Sequence, residues 1–527
     1  MVERDGFADA QVAAREACDQ GAEMIEWRFD LVAKELSSCS ALVSESPLPC
    51  IVTCRPVWEG GEFEGSEEDR IEFLREMIHG GEARYIDIEM DAHGEGVREL
   101  RCLIAGDTRD RAAGLILSTH DFTGRPSDLY RRIGRMSEAD AAVNKVVWQA
   151  KSLRDNLQVF EILRRKVRPT IGLCMGRFGL MSRILAPKFG GFLTFAKVEG
   201  CGGTAAGQPS VMELRNRYRF DAIGRDTKVY GLMGYPVEHS LGMGLHNAGF
   251  SRVGFDGVYV PMPIPPEYEH FKATLSAFLD DDYLDFRGAS VTLPHKEHLV
   301  RFIEEWDGAV EVGEWVEVSG SANTIVVDEN GLLKIDNTDI DGLLDSLCEK
   351  MKIGREGLSG MRVAVIGAGG VARSAVAGLS GWGAEVCVFN RTSERGEKLA
   401  DDFNGRKIRG GRLCDVSSYS LEEFGFEPYD ILIHATSVGM HGGSDEDGCP
   451  VSVDSLEKGM KRDGLVYDLV YTPIETPLLR HVKACGFQVL GGLDMLVRQA
   501  VRQFAMWTGV EGDIEEWRKV AREGLKE

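Results

Sequence analysis

The sequence has 527 residues, of which 43% are hydrophobic and 28% charged, and it has a formal net charge of −23. This length is too great for one hydrophobic core and predicts about two to four domains. The acidic balance without any lysine- and arginine-rich run argues against nucleic-acid binding, and no apolar stretch approaches the ~18 residues of a membrane span.

The chain opens with a polar stretch of helical character. Its first thirty residues contain eight acidic side chains and three arginines. Signal and transit peptides have a basic or acid-poor composition, so we expect neither at this position.

Residues 24–198 repeat one unit, in which a short apolar strand is followed by a polar loop and a helical stretch. This alternation predicts βα units and a parallel sheet, and seven or eight such units favour a closed (β/α)8-type barrel in an α/β protein. The predicted strands are residues 24–30, 50–55, 83–90, 114–122, 142–149, 170–176 and 192–198.

An eight-stranded barrel requires one strand more than these seven. We expect that the first strand is missing and that roughly ten apolar residues lie upstream of the given start. In that case the barrel half would melt below the rest of the chain. The alternative is a seven-stranded barrel in which residues 24–30 pair directly with residues 192–198.

Polar side chains fall at the ends of the predicted strands, which converge on one catalytic mouth in a (β/α)8 barrel. Lys145 is the most unusual of them, because it lies within the apolar run AAVNKVVW. It is either an edge-strand lysine that reaches solvent or a nucleophile in a dry pocket. The set comprises Glu26, Arg28, Arg55, Glu89, His120, Lys145 and Met175.

Residues near Lys145 in the predicted barrel suit acid/base catalysis and anion binding. His120 lies on the preceding strand and can transfer protons near neutral pH. Glu26 and Glu59 can accept hydroxyl groups or orient this histidine. Three arginines can bind a carboxylate and hydroxyls in an otherwise acidic protein; they are Arg28, Arg55 and Arg183.

Eight segments, in chain order, resemble the strand-end motifs of type I 3-dehydroquinate dehydratases over about residues 6–215. They are EWRFD, TCRPVWEGG, YIDIE, STHDF, NKV, MGRFGLMSR, FLTFA and TAAGQ. The resemblance implies that Lys145 forms an imine with the substrate ketone, in a dry pocket whose flanking arginines lower the lysine pKa. It also implies that His120 removes the C2 proton and assists loss of the C1 hydroxyl as water.

The same resemblance assigns the remaining residues of this half. Glu59 would orient His120, and Arg183 would bind the substrate carboxylate. Thr204 stands where the family usually has serine. The ring hydroxyls would be bound by Glu26, Arg28, Arg55, Thr204 and Gln208.

A second half begins after the polar linker around residues 220–227. Residues 361–379 read as an apolar strand, a glycine turn and a helix, which is a dinucleotide-binding signature. Gly367 would form the tight turn, Gly369 would let the backbone approach the pyrophosphate, and Ala372 replaces the third glycine. The next strand ends in Arg391 where an NAD site has an acid, so NADP is the predicted cofactor.

Lys296 and Asp339 form the candidate catalytic pair of this half. Lys296 follows the strand-like segment ASVTLP and can meet Asp339 across a cleft. Beside a nicotinamide, such a pair could relay a proton to a carbonyl oxygen that receives hydride. A structural ion pair is the alternative.

Segments on both sides of the glycine turn resemble shikimate dehydrogenases over about residues 228–515. They include YGLMGYPVEHSLGMGLHN, ASVTLPHKE, SANTI, DNTDIDG, HATSVGM, VYDLVYTPIETPLL and GLDMLVRQAVRQF. The resemblance implies catalysis by Lys296 and Asp339. It implies shikimate contacts from Ser240, Thr292, Asn323, Tyr471 and Gln499, and NADP contacts from Gly367, Gly369, Gly370, Ala372, Asn390, Arg391, Thr392 and Thr436.

One motif of this half departs from the family pattern. Where the family has HSxSP, this sequence has HSLGM, so that Gly242 and Met243 replace the second serine and the proline. A quinate/shikimate dehydrogenase of altered substrate preference therefore remains an alternative for this half.

Together the halves resemble bifunctional dehydroquinate dehydratase–shikimate dehydrogenases. The resemblance implies consecutive reactions on small anionic cyclohexane carboxylates, from 3-dehydroquinate to 3-dehydroshikimate and then, with NADPH, to shikimate. The expected domains are a barrel at 1–222, a shikimate-binding α/β domain at 227–340 and 492–527, and a Rossmann domain at 341–491. A scaffolding role for the barrel would require a degenerate site, whereas its lysine, histidine and arginines are present.

The remaining expectations concern the environment and assembly of the protein. The twelve cysteines show no CxxC pair and no metal-type spacing. We therefore expect reduced thiols in a cytoplasmic protein without a metal site. We expect a monomer or a homodimer that binds neither nucleic acid nor membranes.

Overall fold

The computed structural model describes residues 7–31, 36–80, 82–107, 112–200, 207–238, 240–408, 412–443 and 445–525. The chain divides into two compact units, residues 1–228 with 256–263 and residues 229–255 with 264–527. None of the helices in the described ranges combines the length and the apolar character that a membrane crossing requires. Within the same ranges, no group of three or more histidine, cysteine, aspartate or glutamate side chains is placed to hold a metal ion.

The first unit contains six parallel strands that follow one another in chain order and curl into part of a barrel. The strands are β1 (Ile25–Arg28), β2 (Cys50–Thr53), β3 (Tyr85–Glu89), β4 (Gly114–Asp121), β5 (Val143–Gln149) and β6 (Thr170–Met175). The helices are α1 (Phe7–Asp19), α2 (Leu36–Ser44), α3 (Glu67–Gly80), α4 (Glu95–Gly106), α5 (Leu129–Glu138), α6 (Asp155–Arg165) and α7 (Leu180–Ile184). Short 3-10 turns cover Val57–Glu59, Arg177–Gly179 and Phe220–Ala222, and a π-helical turn covers Glu213–Arg217.

The inner face of this sheet is apolar in its lower part and polar near the strand ends. Alternate residues of a strand share a face, so Lys145 points to the same side as Val143 and Val147 of β5. Those valines belong to a buried cluster with Ile51, Ile116, Ile171 and Leu173. The apolar layer thus supports the polar groups at the mouth.

The predicted strand at residues 192–198 is not a strand of this sheet. Its backbone bonds to β6 only through Phe192, whose N–H donates to the Thr170 carbonyl at 2.9 Å. Lys197 forms an isolated bridge with Ser210. Side-chain burial explains the apolar pattern instead, because Phe192 and Phe195 pack against the inner cluster.

The second unit begins with a mixed sheet. Its strands are β7 (Lys228–Gly234), β9 (Phe286–Val291), β10 (Val310–Val312), β11 (Thr324–Val327) and β12 (Leu333–Asp336), in the order β10-β12-β11-β9-β7, while β8 (Gly257–Pro263) is grouped with the first unit. The helices are α8 (Gly242–Val253), α9 (Tyr268–Leu279), α10 (Lys296–Glu304), α11 (Glu314–Ser319) and α12 (Thr338–Met351), and a 3-10 turn covers Arg355–Leu358.

A six-stranded parallel sheet follows, in the order β17-β14-β13-β18-β19-β20. Its strands are β13 (Arg362–Ile366), β14 (Glu385–Asn390), β17 (Asp415–Ser420), β18 (Tyr429–His434), β19 (Met460–Asp468) and β20 (Gln488–Gly491), and the two-residue strands β15 (Lys407–Ile408) and β16 (Arg412–Leu413) pair separately. Its helices are α13 (Gly370–Gly381), α14 (Ser393–Phe403), α15 (Val453–Gly459) and α16 (Pro477–Ala484), followed by α17 (Leu493–Thr508) and α18 (Ile514–Gly524), with a 3-10 turn at Leu421–Glu423. This is the doubly wound order 3-2-1-4-5-6, so the direction of winding reverses between β13 and β18.

Candidate active sites

Lys145 is buried, with only 5% of its surface exposed, and β5 lies between β4 and β6, so this lysine is not on an edge strand. Its amine nitrogen lies 2.9 Å from Asp87 Oδ2 and 3.3 Å from Glu26 Oε1. The same nitrogen stands 4.6 Å from the centre of the Phe195 ring. The charged groups in contact with this amine are therefore carboxylates, whereas the sequence led us to expect arginines there.

Arg55 lies on the other side of Asp87 and is itself buried. Its guanidinium donates to Asp87 Oδ2 at 2.8 Å, to Glu89 Oε1 at 2.7 Å and to Ser118 Oγ at 2.8 Å. Burial opposes ionisation of Asp87, but the positive charges of Arg55 and Lys145 outweigh it and hold the pKa of this carboxyl well below its usual range. Asp87 thus joins the arginine to the lysine.

This line of alternating charges continues beneath the site. The guanidinium of Arg70, on α3, donates to Glu89 Oε2 at 2.8 Å and to the Cys54 carbonyl at 3.1 Å. Arg70, Glu89, Arg55, Asp87 and Lys145 therefore alternate in sign through the interior. Such pairing offsets the cost of burying each charge.

Glu59 and His120 form a second buried pair. Glu59 Oε2 accepts the backbone N–H of His120 at 2.9 Å and lies 3.0 Å from its Nδ1. Burial raises the pKa of Glu59 to about 7. Burial and the charges of Arg55 and Lys145 hold the pKa of His120 well below its usual value. A neutral imidazole bound at Nδ1 leaves Nε2 available as a base.

Arg183 is a buried cation with no acidic partner among the described residues. Only 5% of it is exposed, and its guanidinium donates to the Phe195 carbonyl at 3.3 Å. Burial lowers its pKa to about 10. A buried guanidinium of this kind is suited to receive an anion from outside the protein.

The other predicted residues of this site have contacts of their own or lie outside the described ranges. Glu26 accepts the Thr53 hydroxyl at 2.9 Å, and its pKa is lowered because Lys145 and Arg28 outweigh its burial. Arg28 forms a two-bond pair with Asp30 at 2.7 and 2.9 Å. Gln208 is buried, and Met175 ends β6. Thr204 lies outside the described residues.

In the first unit, Asp87 was not among the residues predicted for the site. The segment YIDIE alternates acidic and apolar residues, which places Asp87 and Glu89 on one face of β3. An acid inside an otherwise apolar strand was therefore the available signal.

In the second unit, Lys296 and Asp339 meet as predicted. Lys296 Nζ forms an ion pair with Asp339 Oδ2. Lys296 begins α10, and its Cδ lies 3.6 Å from where a β-carbon on Gly370 would stand. The pair therefore lies beside the start of the helix that follows the glycine turn.

Asn323 and Gln499 come together in the same unit. Asn323 donates to Thr338 Oγ1 at 3.1 Å and to Gln499 Oε1 at 3.5 Å, and its own amide oxygen accepts the Thr338 N–H at 2.8 Å. Because Thr338 directly precedes Asp339, these bonds fix the polar groups next to the Lys296–Asp339 pair.

Three further predicted residues of this unit are Ser240, Thr292 and Tyr471. Ser240 accepts the Gly242 N–H at 3.1 Å, and Thr292 follows β9 directly. Tyr471 receives no hydrogen bond from the described residues, and burial raises the pKa of its hydroxyl. Gly242 begins α8 and Met243 is fully buried, so the missing serine and proline are replaced by residues that pack.

The glycine turn has the conformation and the space that a pyrophosphate requires. Gly367 has φ +119°, and a β-carbon there would lie 2.7 Å from the Ala435 carbonyl. A β-carbon on Gly369 would meet nothing within 4 Å. Gly369 precedes α13, whose N-terminal N–H groups favour an anion, and Ala372 packs fully buried behind them.

The end of β14 supplies the residues expected at the adenosine ribose. Asn390 donates to the Thr392 carbonyl at 2.7 Å and so closes the turn before α14. Arg391 is exposed, and no described residue pairs with its guanidinium. This set fits a 2′-phosphorylated dinucleotide, because the turn presents a cation and no acid.

Sequence analysis also missed His434 and Asp468, which end the adjacent strands β18 and β19. His434 Nδ1 lies 2.8 Å from Asp468 Oδ1, and His434 Nε2 lies 2.6 Å from Thr436 Oγ1. Both members of this pair are fully buried. The signal was a histidine at the end of an apolar strand.

Comparisons with known proteins agree with this division of the chain. The profile of type I 3-dehydroquinase matches residues 3–225, and that of the shikimate dehydrogenase substrate-binding domain matches residues 232–325. The profile of shikimate/quinate 5-dehydrogenase matches residues 349–440, and that of the shikimate 5′-dehydrogenase C-terminal domain matches residues 492–522.

Individual relatives match either the whole chain or its second half. The chloroplastic bifunctional 3-dehydroquinate dehydratase/shikimate dehydrogenase of Arabidopsis thaliana is 34% identical over 520 residues, which is 96% of this chain and 81% of that protein. The shikimate dehydrogenase (NADP(+)) of Caldanaerobacter subterraneus subsp. tengcongensis is 38% identical over 54% of this chain and 94% of its own. A crystal structure of a shikimate dehydrogenase in complex with NADP+ aligns with a TM-score of 0.50 and 31% identity, over 58% of this chain and 98% of that one.

Proposed function

The chain belongs to the family of bifunctional 3-dehydroquinate dehydratase/shikimate dehydrogenases, and from this membership we propose how its residues divide the chemistry. The protein dehydrates 3-dehydroquinate to 3-dehydroshikimate and reduces 3-dehydroshikimate to shikimate with NADPH. The shikimate dehydrogenase relatives favour shikimate over a quinate-specialised second half.

Lys145 is the imine-forming residue of the dehydratase site. The observation that supports this role is a buried primary amine held by two carboxylates beside the Glu59–His120 pair. The ammonium group must lose a proton before its nitrogen attacks the substrate ketone, and Asp87 and Glu26 position the amine for this attack. Loss of water from the adduct gives the imine, which acidifies the neighbouring C2–H bond.

His120 then moves the protons of the elimination. With Nδ1 directed to Glu59, the imidazole takes the C2 proton on Nε2, and the electron pair of the C–H bond forms the new double bond as the C1 hydroxyl departs. The histidine returns a proton to the departing hydroxyl, which leaves as water. Hydrolysis of the imine restores Lys145 and releases 3-dehydroshikimate.

Charged side chains around this amine bind the substrate. Arg183 takes the substrate carboxylate, since it is a buried guanidinium without an acidic partner among the described residues. The ring hydroxyls are held by Glu26, Arg28, Arg55 and Gln208, with Thr204 added from the sequence. Arg28 and Arg55 already bond to acids, so they contribute through the donors that remain.

Lys296 and Asp339 act as the proton relay of the dehydrogenase site. Bound NADPH supplies the hydride, and Lys296, fixed by Asp339, donates a proton to the carbonyl oxygen as it becomes a hydroxyl. Asn323 and Gln499 orient the substrate next to this pair, together with Ser240, Thr292 and Tyr471.

The cofactor site takes NADPH at the turns after β13, β14 and β18. Gly367, Gly369, Gly370 and Ala372 shape the approach to the pyrophosphate. Arg391 pairs with the 2′-phosphate, and Asn390 and Thr392 form the turn that presents it. Thr436 completes the site from the end of β18.

The domain limits stay as the sequence predicts: a dehydratase barrel at 1–222, a substrate domain at 227–340 and 492–527, and an NADP-binding domain at 341–491. Eleven cysteines in the described ranges are free thiols, which supports a reducing compartment such as the cytoplasm. We keep a monomer or homodimer as the proposed assembly.

One assay tests both activities. Purified protein is incubated with 3-dehydroquinate and NADPH, while enone absorbance and NADPH loss are followed together. Borohydride added during dehydration should trap a covalent adduct on Lys145, because reduction of an imine is irreversible. An adduct on another residue would contradict the assignment.

A further inference from the structure

His434 and Asp468 lie at the carboxyl edge of the parallel sheet, next to the point where its winding reverses. His434 ends β18, Asp468 ends β19, and neither exposes any surface. The Thr476 hydroxyl, at the N-cap of α16, donates to Asp468 Oδ2 at 2.5 Å, and the Val470 N–H donates to Oδ1 at 3.0 Å. Asp468 is therefore held as an acceptor.

The bonds of Asp468 fix which nitrogen of the histidine carries the hydrogen. A carboxylate surrounded by donors accepts a further hydrogen at 2.8 Å, so the hydrogen lies on His434 Nδ1. In the neutral imidazole, Nε2 is then an acceptor. The Thr436 hydroxyl, 2.6 Å away, donates to it.

Thr436 lies against the glycine turn. A β-carbon on Gly367 would stand 3.0 Å from Thr436 Cγ2. The Thr436 oxygen also accepts the Val438 N–H at 3.3 Å. Because the Thr436 hydroxyl donates its hydrogen to His434, its oxygen can only accept a hydrogen bond from a ligand.

We propose that His434, supported by Asp468, is a positioning residue that presents Thr436 to the cofactor as a hydrogen-bond acceptor. The proposal rests on the NADPH site described above. An acceptor at this position pairs with a ligand hydroxyl or amide N–H and repels a phosphate oxygen. Thr436 therefore binds a ribose hydroxyl or the carboxamide N–H of the dinucleotide, while α13 binds the pyrophosphate.

Two substitutions separate the roles of the two ring nitrogens. His434→Asn places an amide near the position of Nδ1, which keeps the bond to Asp468 and removes the bond to Thr436. His434→Gln places an amide near the position of Nε2 and keeps the contact with Thr436. We expect His434→Asn to raise the KM for NADPH about three- to ten-fold, with a smaller change in kcat, and His434→Gln to remain within about two-fold of the parent.

A double-mutant cycle with Thr436→Val is the decisive measurement. If His434 acts through Thr436, adding His434→Asn to Thr436→Val leaves the KM for NADPH where Thr436→Val alone puts it. Dehydration of 3-dehydroquinate by the same preparations is the control for folding. Additive effects, equal damage from Asn and Gln, or a fall in kcat at constant KM would overturn the proposal.

A second comparison applies if His434→Asn does not fold. Thr436→Ser keeps the hydroxyl that His434 binds, and Thr436→Val removes it. Equal KM values for NADPH in these two variants overturn the proposal. If the parent chain itself fails to reduce 3-dehydroshikimate with NADPH, the proposed function fails, and this outcome is distinct from both.

Discussion

In the proposed mechanism, Glu59 controls the base of the dehydratase through the hydrogen on His120 Nδ1. As an ionised carboxylate it accepts that hydrogen and leaves Nε2 free to take the C2 proton. Because burial raises the pKa of Glu59 to about 7, we expect kcat for dehydration to rise with pH between about 6 and 8. Glu59→Gln should remove this rise of kcat with pH and lower kcat about 10²-fold, which a pH–rate profile measures.

The same pKa predicts the pH dependence of stability. The folded chain binds the Glu59 proton more tightly than the unfolded chain, in which the pKa of this carboxyl is 4.5. Its contribution to the free energy of unfolding is therefore full below pH 4.5 and is lost as pH rises through 7. Urea unfolding of the parent minus that of Glu59→Gln isolates the effect, and a difference that is constant from pH 4.5 to 7.5 would contradict it.

Arg391 is expected to determine the choice between NADP and NAD. Arg391→Asp removes the partner of the 2′-phosphate and adds repulsion, so the Kd for NADPH should rise about 10- to 150-fold while that for NADH changes far less. Lys398→Asp, the same charge change at an exposed position of α14, the helix that follows this turn, is the matched control. Equal loss of both cofactors would mean that Arg391 is structural.

Single residues were predictable where the sequence itself was unusual. Lys145 is buried, which was one of the two interpretations of its apolar neighbours, and Lys296 does meet Asp339. The contact between Lys145 and Asp87 joins β5 to β3, which are not neighbouring strands. No local pattern encodes such a contact, so its carboxylate was missed and arginines were expected in its place.

At the scale of elements, hydrophobic alternation identified six strands of the first unit but misassigned residues 192–198. Alternation reports which side chains are buried, whereas a strand also needs backbone partners along its length. Phe195 is partly buried with its ring next to the Lys145 amine, and its carbonyl accepts a hydrogen bond from Arg183. The segment thus contributes a side chain and one carbonyl to the site. Its apolar periodicity could not distinguish this arrangement from a strand that is hydrogen-bonded along its length.

Two glycines in the turn between β13 and α13 are expected to have different roles, Gly367 in folding and Gly369 in cofactor binding. Gly367→Ala forces a β-carbon into the left-handed region and against the Ala435 carbonyl, and should lower the free energy of unfolding by about 1–3 kcal/mol. Gly369 has φ −90°, and a β-carbon there would meet nothing within 4 Å, so Gly369→Ala should change the free energy of unfolding by less than about 0.5 kcal/mol. Its methyl group should instead weaken NADPH binding, measured by cofactor fluorescence. Equal unfolding free energies for the two variants would contradict this assignment.

At the scale of the whole molecule, local charge matters more than net charge. The chain has a net charge of −23, yet the proposed substrates are anions. Local cations resolve this conflict, because the buried Arg183 in the first unit and the partly buried Lys296 in the second stand where substrate carboxylate and carbonyl groups are expected. Low dielectric strengthens such contacts, so the field at each site differs from that of the surface.

The two units each contain a complete set of proposed catalytic residues, so the two activities should be separable by substitution. Lys145→Ala should abolish dehydration and leave the reduction of added 3-dehydroshikimate intact. Asp339→Asn should slow reduction about 10²- to 10⁴-fold and leave dehydration intact. An equimolar mixture of the two variants should convert 3-dehydroquinate to shikimate, since the intermediate is a small molecule that can pass through solution. Each variant alone, checked by thermal unfolding, is the control, and a mixture that fails although both single activities persist would show that the intermediate is not released.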